Sequence, residues 1–382
     1  MGLRLLILTT YSSQPILITA DLMEPLIRCQ SEIIRAIYLR ASVLYAPGDL
    51  RVVDVDEPKP RRGSIVARVR IALTCGTDVK LYRRGHPFAK LPNIIGHEFV
   101  GVVEDLGEDV PDSYRGRLFV TMNTSPCGEC FYCVRGRENL CERLGETIIG
   151  FTVPGAYAEM IEIPERIWRR YFYQIPPGLD LVEAAFLEPL STVVHGQRIL
   201  GGVDGEWVAV IGSGPIGLMH LQLLKLRGLM VAVIDRHWEK LDVAKRLGAD
   251  VVVNSNEERP EDIARSINSG KGFDAIIEAA GKQEAWELAI RLVRSGGKIL
   301  FFGGLPRGTS VPIDSYRIHY EEVEVKGAFH TTPRDVDEAY KLIETRKLRL
   351  RELVSGVMPL ERVREALENM GRGVGLKYAI KP

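Results

Sequence analysis

The stretch Val208-Ala209-Val210-Ile211-Gly212-Ser213-Gly214-Pro215-Ile216-Gly217 limits the fold more than any other part of the chain. Trp207–Ile211 is a continuous apolar run. Such a run suits a parallel strand buried on both faces. A helix-patterned segment, Pro215–Leu229, follows the glycines. A lone GxGxxG is weak evidence, but strand, GxGxxG and helix in that order form a dinucleotide site. Gly212 permits the tight turn, Gly214 lets a pyrophosphate reach the backbone, and Gly217 packs helix on strand. Pro215 and Ile216 lie between them, where the helix N-terminus turns its free N–H groups to the phosphates. The next apolar run, Val231–Ile234, leads into Asp235. A carboxylate there can bond the adenosine ribose and would repel a 2′-phosphate, which favours NAD over NADP. The adjacent Arg236 weakens that preference, since an arginine can accommodate the phosphate.

The pattern continues in kind. Val251–Val253, Ala275–Glu278 and Lys298–Phe302 read as strands, with helices over Trp238–Leu247, where Gly248 is the expected C-cap, and Gln283–Val293. Alternating β and α elements predict an α/β, doubly wound parallel sheet with helices on both faces. Before Glu188 the character differs. Short alternating segments, Ala41–Tyr45, Leu50–Val55, Ile65–Ile71, Phe99–Glu104 and Arg117–Thr121, are separated by Pro and Gly and predict a compact β domain. The chain closes with helices over Asp335–Thr345 and Leu360–Met370 and strands over Leu353–Pro359 and Gly375–Ile380. Two or three domains suit 382 residues. Fifty Lys and Arg balance fifty Asp and Glu, which argues against a nucleic-acid binder held by charge. No apolar run reaches ~18 residues, so no spanning helix is expected. The opening residues read as a frayed extension rather than a signal peptide, because the apolar run Leu5–Leu8 is short.

Six cysteines in a long chain do not suggest a disulfide scaffold. Four are clustered as Cys127-x2-Cys130-x2-Cys133-x7-Cys141, a set suited to a closed tetrahedral zinc of structural type. An iron–sulfur cluster or four reduced surface thiols are the alternatives. A second set is spread wider: Cys75 after a strand, His97-Glu98 some way on, and Glu188 where the two halves meet. Cys, His and Glu all ligate zinc, and three protein ligands leave a position open for substrate, the catalytic arrangement.

Gly96-His97-Glu98-Phe99-Val100-Gly101, with Gly107 and Val110, resembles the signature of zinc-containing alcohol dehydrogenases. The cysteine spacing and the order of motifs agree, so the chain is identified as resembling the medium-chain dehydrogenase/reductase family over roughly residues 37–382. Glu188-Pro189, where better-known alcohol dehydrogenases place a cysteine ligand, points to the sorbitol, threonine and sugar dehydrogenase branch. The resemblance implies a GroES-like β catalytic domain (37–189 and 327–382, with the zinc lobe at 127–141), a Rossmann NAD-binding domain (190–326) and an N-terminal extension (1–36). It implies two zinc ions per subunit. Cys75 and His97 bind the catalytic ion, and Glu98 and Glu188 bind it directly or through water. Thr77 would bond the substrate oxygen and start a proton relay, and Asp78 would orient His97. The expected reaction interconverts a secondary alcohol (a polyol, sugar or cyclitol) and its ketone by hydride transfer from a zinc-stabilised alkoxide to NAD. L-Threonine 3-dehydrogenase and simple alcohol or butanediol dehydrogenase are the alternatives, with a non-catalytic zinc protein more remote. A superfamily reductase without the catalytic metal conflicts with the intact ligand set. Lys80 departs from the family pattern, in which several relatives carry a proton-passing histidine. Arg83–Pro87 is expected to line a polar substrate mouth, and His330 could face the nicotinamide. A cytoplasmic homodimer or homotetramer is also implied, joined at the nucleotide-sheet edge around Ile299–Leu305.

Overall fold

A computed structural model describes residues 38–382. The N-terminal extension and Cys29 lie outside the described residues. Six parallel strands form one sheet. Its spatial order is Val251–Asn254, Met230–Asp235, Trp207–Ile211, Phe273–Glu278, Val293–Phe301 and Glu324–Gly327. In chain order that is third, second, first, fourth, fifth, sixth, a doubly wound arrangement whose switch point lies at Trp207–Ile211. The apolar runs are explained by position. Every residue of Phe273–Glu278 and all but the first of Trp207–Ile211 are buried, because helices cover both faces.

The β half is built on Ile65–Leu73. This strand pairs antiparallel with Glu98–Leu106, Met160–Ile163 and Lys377–Lys381, so the chain's last strand returns to its first half. A separate three-stranded sheet holds Tyr38–Ala46 between Asp49–Asp56 and Asn93–Ile94. Two helices, Leu187–Leu200 and Pro333–Glu344, pack against each other. One continuous apolar core passes from Val100 and Val120 through Leu190, Val193 and Val336 to Val208 and Ile277. The two sheets therefore share a core through this helix pair.

The expected helices and strands are present, most with ends shifted by one to three residues, while the strand expected at Lys298–Phe302 starts five residues earlier, at Val293. The helix over Trp238–Arg246 is capped by Leu247, with Gly248 in the left-handed region just beyond. Gly76–Arg84, Leu187–Leu200, Pro260–Ser266 and Glu324–Gly327 escaped the sequence reading. Leu187–Leu200 escaped because it is buried nearly all round, so no polar face marks its period. The expected oligomer edge needs correction. Val293–Phe301 is hydrogen-bonded on both sides, so Ile299–Leu305 begins inside the sheet. The outer strand is Glu324–Gly327, with Val325 exposed.

Candidate functional site

Cys75 caps the helix Gly76–Arg84. Its Sγ accepts from the Thr77 N–H at 3.4 Å, while the Asp78 carboxylate accepts from the Cys75 N–H at 3.0 Å. This reciprocal cap fixes the thiol's direction at a helix start. The other Asp78 oxygen lies 3.0 Å from His97 Nδ1, and the Tyr157 hydroxyl donates to Asp78 at 2.6 Å. Asp78 and Tyr157 are fully buried. A carboxylate on Nδ1 holds the imidazole with Nε2 free for a metal. The sulfur of Cys75, a ring nitrogen of His97 and an oxygen of Glu98 lie within 4.8 Å of one another. Thiolate, imidazole and carboxylate are a fitting donor set for zinc.

Glu98 is fully buried, and both its oxygens accept from Lys377 Nζ, at 2.6 and 2.7 Å. Lys377 also donates to the Thr74 carbonyl at 2.8 Å. Burial raises the Glu98 carboxyl, with Lys377 opposing it. Burial disfavours the Lys377 cation, but Glu98 and Cys75 hold it above its ordinary value. Neither Lys377 nor Tyr157 was found from sequence. The available signal for Lys377 was a cation within the otherwise apolar run Leu376–Ile380.

Glu188 lies in the first turn of Leu187–Leu200, 8 % exposed. Its carboxyl is outside the 4.8 Å group formed by Cys75, His97 and Glu98, although it senses their charges. Burial pushes it up to about 7, with His97 opposing and Glu98 adding. Thr77 is half-buried and Lys80 exposed. The segment Arg83–Pro87 divides. Arg83 meets Gly371 at the end of the helix Val363–Gly371. His86 packs edge-on to Phe151, whose ring in turn meets His97. Burial, with Lys80 and Arg84 close by, lowers the His86 pKa. His330 is half-buried at a backbone φ of 57°, and burial, with a smaller effect of His195, pushes its pKa down to about 4.

The sulfurs of Cys127, Cys130, Cys133 and Cys141 also lie within 4.8 Å of one another, and none is in a disulfide. Cys127 and Cys133 are 3.8 Å apart. A tetrahedral shell of Zn–S bonds near ~2.3 Å has an edge of about 3.8 Å, so the lobe fits the ion. Backbone N–H groups point at the sulfurs of Cys127 and Cys141 from 3.3 to 3.4 Å, as suits thiolates. Hydrogen bonds from the backbone around Cys133 and Glu142 hold Cys130 down to about 6.

At the dinucleotide edge, Gly212 has φ 102° and a Cβ there would meet the Ala280 backbone at 2.9 Å. A Cβ on Gly217 would lie 1.8 Å from the Gly212 carbonyl, so only glycine fits where the helix starts. Gly214 caps that helix and Pro215 is in its first turn. Asp235 accepts from the N–H groups of Ser213 at 2.7 Å, Arg236 at 2.7 Å and His237 at 3.1 Å. Burial opposes its ionisation, but these bonds hold it below the usual carboxylate range. Arg236 is exposed beside it.

Two family descriptions match the chain: "Alcohol dehydrogenase GroES-like domain" over residues 61–175 and "Zinc-binding dehydrogenase" over residues 215–345. An alcohol dehydrogenase of Geobacillus stearothermophilus is 33% identical over 85% of this chain and 93% of its own length. Human sorbitol dehydrogenase is 30% identical over 89% of this chain and 94% of its own. A Sinorhizobium meliloti protein solved bound to NADP superposes with a TM-score of 0.82 at 30% identity, covering 90% of this chain and 99% of its own. With these relatives over most of its length, the chain belongs to the zinc-dependent medium-chain dehydrogenase family, with a GroES-like and a Rossmann-like part, and is an oxidoreductase.

Proposed function

We propose that the protein interconverts the secondary alcohol of a polyol, sugar or cyclitol and its ketone with NAD. One zinc would sit at Cys75, His97 and Glu98, and a second in the four-cysteine lobe. The observation that carries this is the helix Leu187–Leu200. It carries the Glu188 carboxyl to where it senses the charges of His97 and Glu98, while the Thr331 hydroxyl, close beyond the last strand of the parallel sheet, donates to the Ser191 carbonyl at 3.1 Å. Glu188 and the chain that leaves the parallel sheet are thus tied to the same turn of this helix. The division into a catalytic part (37–189 and 327–382) and a dinucleotide part (190–326) belongs to the same proposal.

When bound, zinc supplies Lewis acidity at the substrate oxygen, and the dinucleotide accepts the hydride. Cys75 and His97 would hold the ion, with Glu98 and Glu188 bound directly or through water. Asp78 and Tyr157 keep the His97 ring aimed. The Thr77 hydroxyl, beside the Cys75 cap, takes the substrate's hydroxyl proton and passes it outward. The Phe151 ring packs against the His97 ring. Gly212, Gly214 and Gly217, with Pro215 and Ile216, cradle the pyrophosphate. Asp235 faces the adenosine ribose, which favours NAD, and Arg236 is the residue that would tolerate NADP. A metal set with two carboxylates, and His86 packed beside Phe151, suit a hydroxylated substrate better than a plain alkanol. The likeness to sorbitol dehydrogenase supports the same class.

The protein is also proposed to be cytoplasmic and to form a homodimer or homotetramer through the free edge at Glu324–Gly327. Among the described residues no helix is long and apolar enough to cross a membrane. The test is NADH formation at 340 nm on sorbitol, xylitol, myo-inositol, glucose, L-threonine, 2,3-butanediol and ethanol, with and without a zinc chelator and with NADP in parallel. Chelator-sensitive turnover on a polyol or sugar with NAD is expected. Turnover confined to threonine or ethanol would overturn the substrate class, and faster turnover with NADP would overturn the reading of Asp235.

A further inference from the structure

We propose that Asn139, inside the four-cysteine lobe, is a positioning residue for the Phe329–Thr331 turn at the nicotinamide end of the dinucleotide site. Asn139 lies two residues before Cys141 and is 4% exposed. Its Nδ2 donates to the Phe329 carbonyl at 3.1 Å, across 190 residues of sequence. Its Oδ1 is buried without a partner. Reversing the amide would set oxygen against the carbonyl, so the donor assignment is the favourable one. The side chain thus makes one bond, and that bond leaves the lobe.

The turn it reaches follows Glu324–Gly327, a strand of the parallel sheet that pairs in register with Val293–Phe301. Dinucleotides bind outside the carboxyl ends of such strands, at the edge where Gly212 and Glu278 also stand. His330 has a φ of 57°, a conformation sparsely populated by non-glycine residues that persists only when neighbours hold it. The Phe329 ring is 60% exposed and anchors little. The restraint is polar and two-sided. Asn139 holds the carbonyl just before His330, and the Ser191 carbonyl accepts from the Thr331 hydroxyl just after it, at 3.1 Å. Ser191 itself donates from Oγ to the Glu188 carbonyl at 2.7 Å. The cysteine lobe and the Glu188 helix therefore clamp one strained turn between them. Asn139 sits in the Glu138–Leu140 turn just before Cys141, so a metal held by the four cysteines would fix the turn from which Asn139 reaches the cofactor site.

The test is NADH affinity, titrated by fluorescence on zinc-loaded protein, alongside zinc content and Tm. Asn139→Asp keeps the side chain's size but turns an acceptor toward the Phe329 carbonyl. It is expected to weaken NADH binding about 3- to 10-fold, the scale of one lost buried hydrogen bond, with zinc content unchanged and Tm lowered. Asn139→Ala serves if the aspartate variant fails to fold. His330→Gly removes the backbone strain, since glycine takes a positive φ without cost. In that background the same Asn139 change should weaken binding by less than half as much. Unchanged NADH affinity overturns the proposal. So does an equal loss in both backgrounds, or loss of a zinc ion, which would confine Asn139 to building the lobe. The inference rests on the dinucleotide reading, and the two fail differently. Wild-type protein that binds neither NADH nor NADPH sinks that reading, whereas tight wild-type binding unchanged by Asn139→Asp sinks only this one.

Discussion

Glu278 ends the strand Phe273–Glu278 at the dinucleotide edge and is fully buried. Its Oε1 accepts from the Ala280 and Gly281 N–H groups at 2.8 and 2.7 Å, while Oε2 has no partner. Burial raises its pKa to about 7 from the usual 4.5, with those N–H groups opposing the rise. The sign follows from the two states. Unfolded, the carboxyl releases its proton near 4.5; folded, it keeps it to about 7. Between these values the native state binds more protons, so stability falls as pH rises, and the full cost is present above pH 7. At about 1.36 kcal/mol per pKa unit the cost is about 3 kcal/mol. Glu278→Gln removes the charge, keeps the acceptor for Ala280 and Gly281, and puts an amide nitrogen where Oε2 stood. Urea unfolding of cofactor-free protein at pH 4.5 to 8 measures the difference. The variant should match wild type near pH 4.5 and be more stable by about 3 kcal/mol at pH 8, a midpoint shift of roughly 1 M at the slopes usual for large domains. A difference that does not change with pH would refute the reasoning, as would a variant less stable than wild type at pH 8.

Lys377→Met leaves the Glu98 carboxylate buried without its cation, and should cost ~3–5 kcal/mol in chemical unfolding. Adding Glu98→Gln in the same chain should restore most of that loss, and no recovery would mean that Lys377 acts through packing alone. Asp274→Ala deletes the acceptor for the Glu206 and Trp207 N–H groups and for Arg294 and Asn268. It should lower stability by roughly 2–4 kcal/mol, read as a drop in Tm, since it strands several buried donors at once. Asp235→Ser should cut the NAD over NADP ratio of kcat/KM by about tenfold or more, because the carboxylate that repels a 2′-phosphate is gone while Arg236 stays. A ratio unchanged by this substitution would place the discrimination elsewhere.

What could be read from the sequence divides by range. The Gly212–Gly217 loop, the strand before it and Asp235 were legible because the constraint is local. A strand buried on both faces must be apolar throughout, and a Cβ at Gly217 would collide with its own loop. The four-cysteine lobe was legible because its cysteines lie within fifteen residues of sequence, and its sulfurs come together where spacing placed them. The wider group of candidate metal-binding residues was legible in kind but not in geometry. Cys75, His97 and Glu98 converge, while Glu188 stands slightly apart, a matter settled by how the helix Leu187–Leu200 docks. Least legible were the long-range polar partners that support the site. Lys377 lies 279 residues from Glu98, Tyr157 lies 79 from Asp78, and Asn139 lies 190 from Phe329. Lys377 stands out only as a cation in an apolar run, and Tyr157 and Asn139 are ordinary polar residues in their own stretches of chain. Each becomes necessary only after folding buries a carboxylate or a carbonyl that must find a partner. The type of donor side chain is thus a property of the motif, whereas its orientation belongs to the topology. Ile65–Leu73 and Lys377–Lys381 must pair before Lys377 can meet Glu98, and the sheet must end at Gly327 before Asn139 has a turn to hold.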